Sequence, residues 1–175
     1  MHRKPIRTND LKVRCHHLWA EQWMLLTAGD FAAGKFNTMA VGWGSLGTMW
    51  TKPFAQVVVR HSRYTREFME NYETFTLCAF PGEYRRAVAL LGSKSGRDGD
   101  KISESGLTLM ASTKITAPCF AEAELVIECR KIYRQEMDPA NFIDPAIEAN
   151  YPNKDYHTIY FGQILAVNGA ASFSA

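Results

Sequence analysis

Apolar positions along this chain fall in short runs, some alternating with polar residues and some continuously apolar, each bounded by glycine, proline or charged residues. The pattern predicts β-strands at WMLLTA (23–28), FNTMAVGW (36–43), FAQVVVR (54–60), FTLCAF (75–80), GLTLMAS (106–112), AELVIECRKIY (123–133) and HTIYFGQILAV (157–167). In the sixth run Leu125, Ile127 and Cys129 share one face, with Glu124, Glu128 and Arg130 on the other. Glu122, Glu124 and Glu128 therefore read as a solvated strand face. Helical spacing appears over 62–72, where Ser62 is placed as an N-cap and Phe68, Met69 and Tyr72 form one apolar stripe. It appears again over 83–92, after Pro81 and ending at Gly92 as a C-cap. A third stretch, 140–151, is interrupted by Pro145. Strands without a regular βαβ alternation predict a mainly β protein, an antiparallel barrel with two or three short helices.

Composition narrows this picture only a little. The 175 residues, 46% hydrophobic and 22% charged, suit a single domain with its own core. No repeat or linker divides the chain. A net charge of +2 argues against a nucleic-acid partner. The basic start MHRKPIRTNDLK leads into no apolar run, and no stretch of about 18 apolar residues follows anywhere. The expectation is a cytoplasmic protein with no membrane partner. Cys15, Cys78, Cys119 and Cys129 form no CxxC pair and read as reduced thiols, the last three buried.

Gly42-Trp43-Gly44-Ser45-Leu46-Gly47 satisfies GxGxxG after a strand, but a dinucleotide fingerprint must also open a helix. Pro53 and the next strand arrive too soon for one. These glycines read instead as places where backbone approaches a flat ligand, or as bulges and turns of a barrel. The junction VVVRHSRYTREF (57–68) gathers Arg60, Ser62, Arg63 and Thr65 where a strand ends and a helix begins. Free N–H groups, hydroxyls and guanidinium groups there suit a phosphate. Equally, Ser62 merely caps the helix and the arginines are solvated. GSKSGRDGDKI (92–102) matches no P-loop; it reads as a flexible polar loop or as a second cationic wall of an anion pocket. His16, His17 and His157 have no metal partner by spacing, and no nucleophile–base pairing stands out. An enzyme with this sequence would draw its reactive group from a cofactor.

Taken in order, NTMAVGWGSLGTMWTKP, VVVRHSRYT, FTLCAFP, LLGSKSGRDGDK and YFGQILAV resemble the flavin reductase-like, FMN-binding split β-barrel family, in particular its flavoredoxin-like subgroup. The likeness runs over roughly 22–168, with an N-terminal arm (1–21) and a tail (169–175) outside it. It implies a split barrel of Greek-key type and a homodimer with FMN at the interface. NAD(P)H or a redox partner would supply electrons, and a small-molecule or protein acceptor would receive them. A flavin carrier with no NAD(P)H turnover of its own, and a split barrel binding another planar ligand, are the alternatives. Carried onto this chain, the resemblance implies that Asn37, Thr38, Met39, Ala40 and Val41 run beside the flavin ring, bonding it through backbone groups, and that Trp43 and Ser45 continue that wall. Arg60, Ser62, Arg63, Tyr64 and Thr65 would hold the phosphate, and Phe80 and Pro81 would cover part of the ring. Ser93, Lys94, Ser95 and Lys101 would close the phosphate and ribityl side. Two positions depart from the pattern: Ala40 replaces a hydroxyl residue, and Gly42 replaces a common serine.

Overall fold

A computed structural model describes residues 2–175. Its strands are β1 (Lys4–Pro5), β2 (Met24–Asp30), β3 (Lys35–Val41), β4 (Gly44–Met49), β5 (Lys52–Arg60), β6 (Thr74–Ala79), β7 (Leu109–Met110), β8 (Cys119–Phe120), β9 (Leu125–Glu136) and β10 (His157–Gly169). Its α-helices are α1 (Thr65–Asn71), α2 (Arg85–Ser93) and α3 (Lys101–Ser105). One antiparallel sheet runs in the order β3-β2-β6-β9-β10-β5-β4, with β1 added to β10 and a separate β7–β8 pair. Register shifts between Phe161 and Gly162 and between Ile164 and Ala166 let long β10 bend, as bulges do. The sheet closes on itself: Met39 and Val41 from one border share a single core with Ala55, Val57 and Val59 from near the other.

The mainly β, antiparallel reading is confirmed, with instructive differences in detail. The segment 44–49, which the sequence pattern does not predict as a strand, is β4, and its hairpin turn uses Trp50 and Thr51 at φ 52° and 56°. The helix expected from Ser62 starts at Thr65 instead, with no side-chain cap, because the Ser62 hydroxyl donates to Asp155 Oδ2 at 2.9 Å. Gly92 is no C-cap; it lies inside α2, where a Cβ would come 2.8 Å from the Cβ of Ala40. Its value is close packing of helix on strand. The stretch around Pro145 is broken as the proline requires, into 3-10 turns at Pro139–Asn141 and Pro145–Asn150.

Glu128 is not solvated. It is 1% exposed and accepts from Thr113 N at 2.9 Å, Thr113 Oγ1 at 2.8 Å and Lys114 N at 2.7 Å. Three donors offset the cost of burying a carboxylate, and they pin the loop before β8. Both faces of β9 are buried here because a second core around Leu25, Phe80, Leu91 and Phe120 covers the face opposite the barrel interior. Cys78, Cys119 and Cys129 are buried free thiols, and burial pushes the Cys78 thiol up to about 12. Among the described residues no helix is long and apolar enough to cross a membrane.

Candidate functional site

β3 and β4 are the two borders of the sheet, yet only Gly42 and Trp43 separate them in sequence. The chain therefore crosses the barrel's open seam in two residues. Each border strand is paired on one side only, so the seam displays backbone N–H and C=O groups that no strand satisfies. A cavity of about 500 Å³ opens there. Met39, Ala40, Val41, Gly42 and Trp43 line one wall, and Val58 and Arg60 come from β5. Ala89, Gly92 and Ser93 enter from α2, and Trp23, Arg63 and His157 complete the lining.

Local sequence explains how these groups arrive. A π-helical turn, His17–Gln22, ends at Trp23, whose φ 59° and ψ 159° are rarely adopted by a residue with a side chain. The Arg85 guanidinium lies 4.2 Å over the Trp23 ring. A Cβ at Gly42 would come 3.0 Å from Trp23 Cδ1 and 3.2 Å from Trp19 O, so the backbone packs tightly on that indole. Both departures from the pattern lie at close contacts, Gly42 against Trp23 and Ala40 against Gly92 of α2. Larger residues at either position would narrow the cavity or push its walls apart.

The polar end is built from the strand–helix junction. Arg60 Nη1 donates to Asp155 Oδ1 at 2.9 Å and Nη2 to Asn150 O at 2.9 Å, while its guanidinium lies 4.9 Å over the Tyr151 ring. Burial alone would raise the Asp155 carboxyl, but Ser62 and Arg60 outweigh it and hold the group below the usual carboxylate range. Arg63 Nη1 donates to Gly92 O at 3.0 Å, tying the junction to the last turn of α2. His157 is 6% exposed; burial, then repulsion from Arg60, pushes its imidazole down to about 4 against the pull of Asp155. It is neutral at neutral pH. Its Nδ1 lies 2.8 Å from the Tyr151 hydroxyl, and its ring is 5.2 Å from that of Trp43.

Of the residues singled out in the sequence, Met39, Ala40, Val41, Trp43, Arg60, Arg63 and Ser93 meet in this cavity. Asn37, Tyr64 and Lys101 line a different cavity of about 720 Å³. The Asn37 amide donates to Thr65 Oγ1 at 2.7 Å, and the buried Thr38 hydroxyl donates to Leu26 O at 3.1 Å. Thr38 thus has only its backbone to offer a ligand. Lys94 pairs with Glu104 at 2.6 Å, and Ser95 Oγ accepts from Arg97 N at 3.2 Å. Lys101 Nζ donates to Leu91 O at 2.8 Å and Lys94 O at 2.9 Å, closing the carbonyl end of α2. Burial, with Arg63 adding repulsion, lowers its ammonium to about 8. Ser45 Oγ donates to Gln56 at 3.0 Å, away from the cavity lining. Phe80 and Pro81 line a third cavity, with Phe80 packed on Phe120.

Sequence reasoning missed Trp23, Val58, Ala89, Gly92, His157 and Asp155. His157 carries no local signal of a site, because only the register of β10 on β5 sets it directly across from Arg60.

Comparison with known proteins gives a consistent picture. The profile of a family described as Flavin reductase like domain matches residues 17–173. An uncharacterized protein of Pyrococcus abyssi is 29% identical over 133 residues, covering 74% of this chain and 64% of that protein's length. The structure of flavoredoxin from Desulfovibrio vulgaris (Miyazaki F) superposes with a TM-score of 0.68 at 22% identity, over 89% of this chain and 73% of that one. The NADH:FAD oxidoreductase SgcE6 of Streptomyces globisporus C-1027 gives 0.66 at 14% identity, over 87% and 81%.

Proposed function

This chain belongs to the flavin reductase-like family of flavin-binding oxidoreductases, and from that premise we propose that it holds FMN at the barrel seam and passes electrons through it. The observation that carries the reading is the seam itself. An unpaired strand edge, a cavity of about 500 Å³ and two guanidinium groups meet at one place. Met39, Ala40 and Val41 would offer backbone donors and acceptors along the polar edge of the ring. Arg63 and Ser93, with Arg60 held beside them by Asp155, would take the FMN phosphate. His157 would stand in the wall as a neutral hydrogen-bonding group that adds no charge. The bound flavin supplies the electron storage that none of these side chains offers. Trp23 and Trp43 provide flat apolar surface and displace water.

Purified protein is expected to be yellow, or to become so with added FMN. A colourless protein that takes up no FMN would sink the reading. The likeness to an NADH:FAD oxidoreductase supports NAD(P)H as donor, and the likeness to flavoredoxin supports a carrier fed by a partner. Anaerobic mixing with NADH and NADPH separates them: rapid bleaching marks a reductase, and no bleaching marks the carrier. Arg63→Ala is expected to cost about 1.5–3 kcal/mol of FMN affinity and to leave riboflavin affinity unchanged. Calorimetry with both ligands checks this, and an equal loss for both would remove Arg63 from the phosphate site.

A homodimer completes the proposal. Trp50 is 53% and Tyr133 42% exposed, and they join Phe161 and Phe54 in one aromatic face, with ring centroids 5.0–6.1 Å apart. An exposed aromatic patch of this kind marks an interface. Trp50→Asp is expected to shift the protein toward monomer in sedimentation velocity. An unaltered dimer would place the interface elsewhere.

A further inference from the structure

Trp43 is half exposed although it stands between two cavities. One is the seam cavity. The other, of about 460 Å³, lies under the segment joining β9 to β10 and is large enough for a ring-sized ligand. Phe142, Ile147, Tyr151 and Ile159 give it apolar walls, and the Phe142 ring stacks on Tyr151 at 5.9 Å. The segment above it is anchored at the seam cavity by Arg60, which holds Asn150 O and Asp155, and by the Tyr151 hydroxyl on His157. Its charged lining residues are both carboxylates, Glu136 and Asp138. Arg66 and His61 pair with Glu136, whereas the Asp138 carboxylate, among the described residues, accepts only from the Ala140 N–H at 2.9 Å.

We infer that this second cavity is a subsite for a flat aromatic ring, neutral or cationic, standing beside the proposed flavin cavity across Trp43. Aromatic walls reward a planar ligand beyond the area it buries. Glu136 is already paired with Arg66 and His61, so Asp138 sets the sign: its carboxylate has no cationic partner among the described residues, and no cation in the lining offsets its repulsion of an anionic ring. The shared Trp43 gives the position its meaning. A ring held there lies next to the group that would donate electrons, which is where an electron acceptor belongs. Only that last step, naming the ring as acceptor, rests on the flavin reading; the subsite itself does not.

The test uses the full-length protein, first flavin-free and then loaded with FMN, titrated with menadione as neutral probe and 1-naphthalenesulfonate as anionic probe. Tryptophan fluorescence and calorimetry report binding. Menadione is expected to bind both forms, with 1-naphthalenesulfonate at least tenfold weaker. Ile147→Trp, which fills the cavity, and Phe142→Ala, which removes a wall, should each weaken menadione at least tenfold while FMN affinity stays unchanged. Wild-type menadione affinity in both variants overturns the proposal, as does menadione binding that FMN abolishes, since the ring would then sit in the seam cavity. Equal affinity for the two probes overturns the charge argument. Should one variant fail to fold, the other decides. A protein that binds menadione as described but takes up no FMN keeps the subsite and loses the flavin reading.

Discussion

Gly44→Ala is expected to lower the unfolding free energy by about 3 kcal/mol, the upper end of what overpacking usually costs. A Cβ there would run into the backbone oxygen of Gln56 and come 2.5 Å from Trp19 Cη2. Neither can retreat. Gln56 lies in β5 and is paired on both sides, with Ser45 of β4 and Phe161 of β10. Trp19 is 5% exposed in the barrel core. Gly82→Ala is the control, since a Cβ at Gly82 meets nothing within 4 Å. Urea unfolding of the two variants checks the pair. A Gly44→Ala loss below about 1 kcal/mol would mean that Trp19 does not pack against β4 as described.

The second large effect is a pH dependence. His157 has a usual value of 6.5 and is held down to about 4 in the fold, by burial first and then by Arg60, with Arg63 and His61 adding to it and Asp155 opposing. The unfolded chain therefore takes up a proton between those two values while the native protein does not. Stability is expected to be full above pH 6.5 and to fall as the pH drops toward 4, by up to about 3 kcal/mol from this group. Asp155 and Glu136 are both held below the usual carboxylate range and add their own losses further into acid. The test is thus a difference: wild type minus His157→Asn, followed by denaturant unfolding from pH 7.5 to 4. A constant difference across that range would show that the buried imidazole is not held neutral.

Both predictions come from residues whose role the chain order hides. Gly44 belongs to a run that satisfies the dinucleotide-fingerprint spacing GxGxxG, and the missing helix is enough to reject that reading. What the glycine does for Trp19, twenty-five residues earlier, depends on the sheet closing. His157 opens a strand, and nothing local distinguishes it from a surface histidine. Pairing with Arg60, ninety-seven residues earlier, places it in the cavity wall.

The candidate site was legible in part for the same reason. The run 39–43 lies at a strand end and the pair Arg60 and Arg63 at a strand–helix junction, which local pattern shows; that both meet at the seam follows from the sheet order. Lys94 and Lys101, which the family resemblance puts on the phosphate and ribityl side, are held in this structure by Glu104 and by the carbonyl end of α2 respectively. Charge alone does not say whether a cation already has a partner within its own chain.

The sequence by itself determined the strand-rich, antiparallel character of the protein and its family, because strand periodicity and contiguous motifs are local properties. Only the tertiary structure decided that β3 and β4, consecutive in sequence, are opposite borders of one sheet, and that Gly42 and Trp43 cross the seam between them. Closure of the barrel sets that arrangement, through pairings between segments far apart in the chain. Those pairings fix which arginine is tied to Asp155, which histidine stays neutral and which tryptophan divides two cavities.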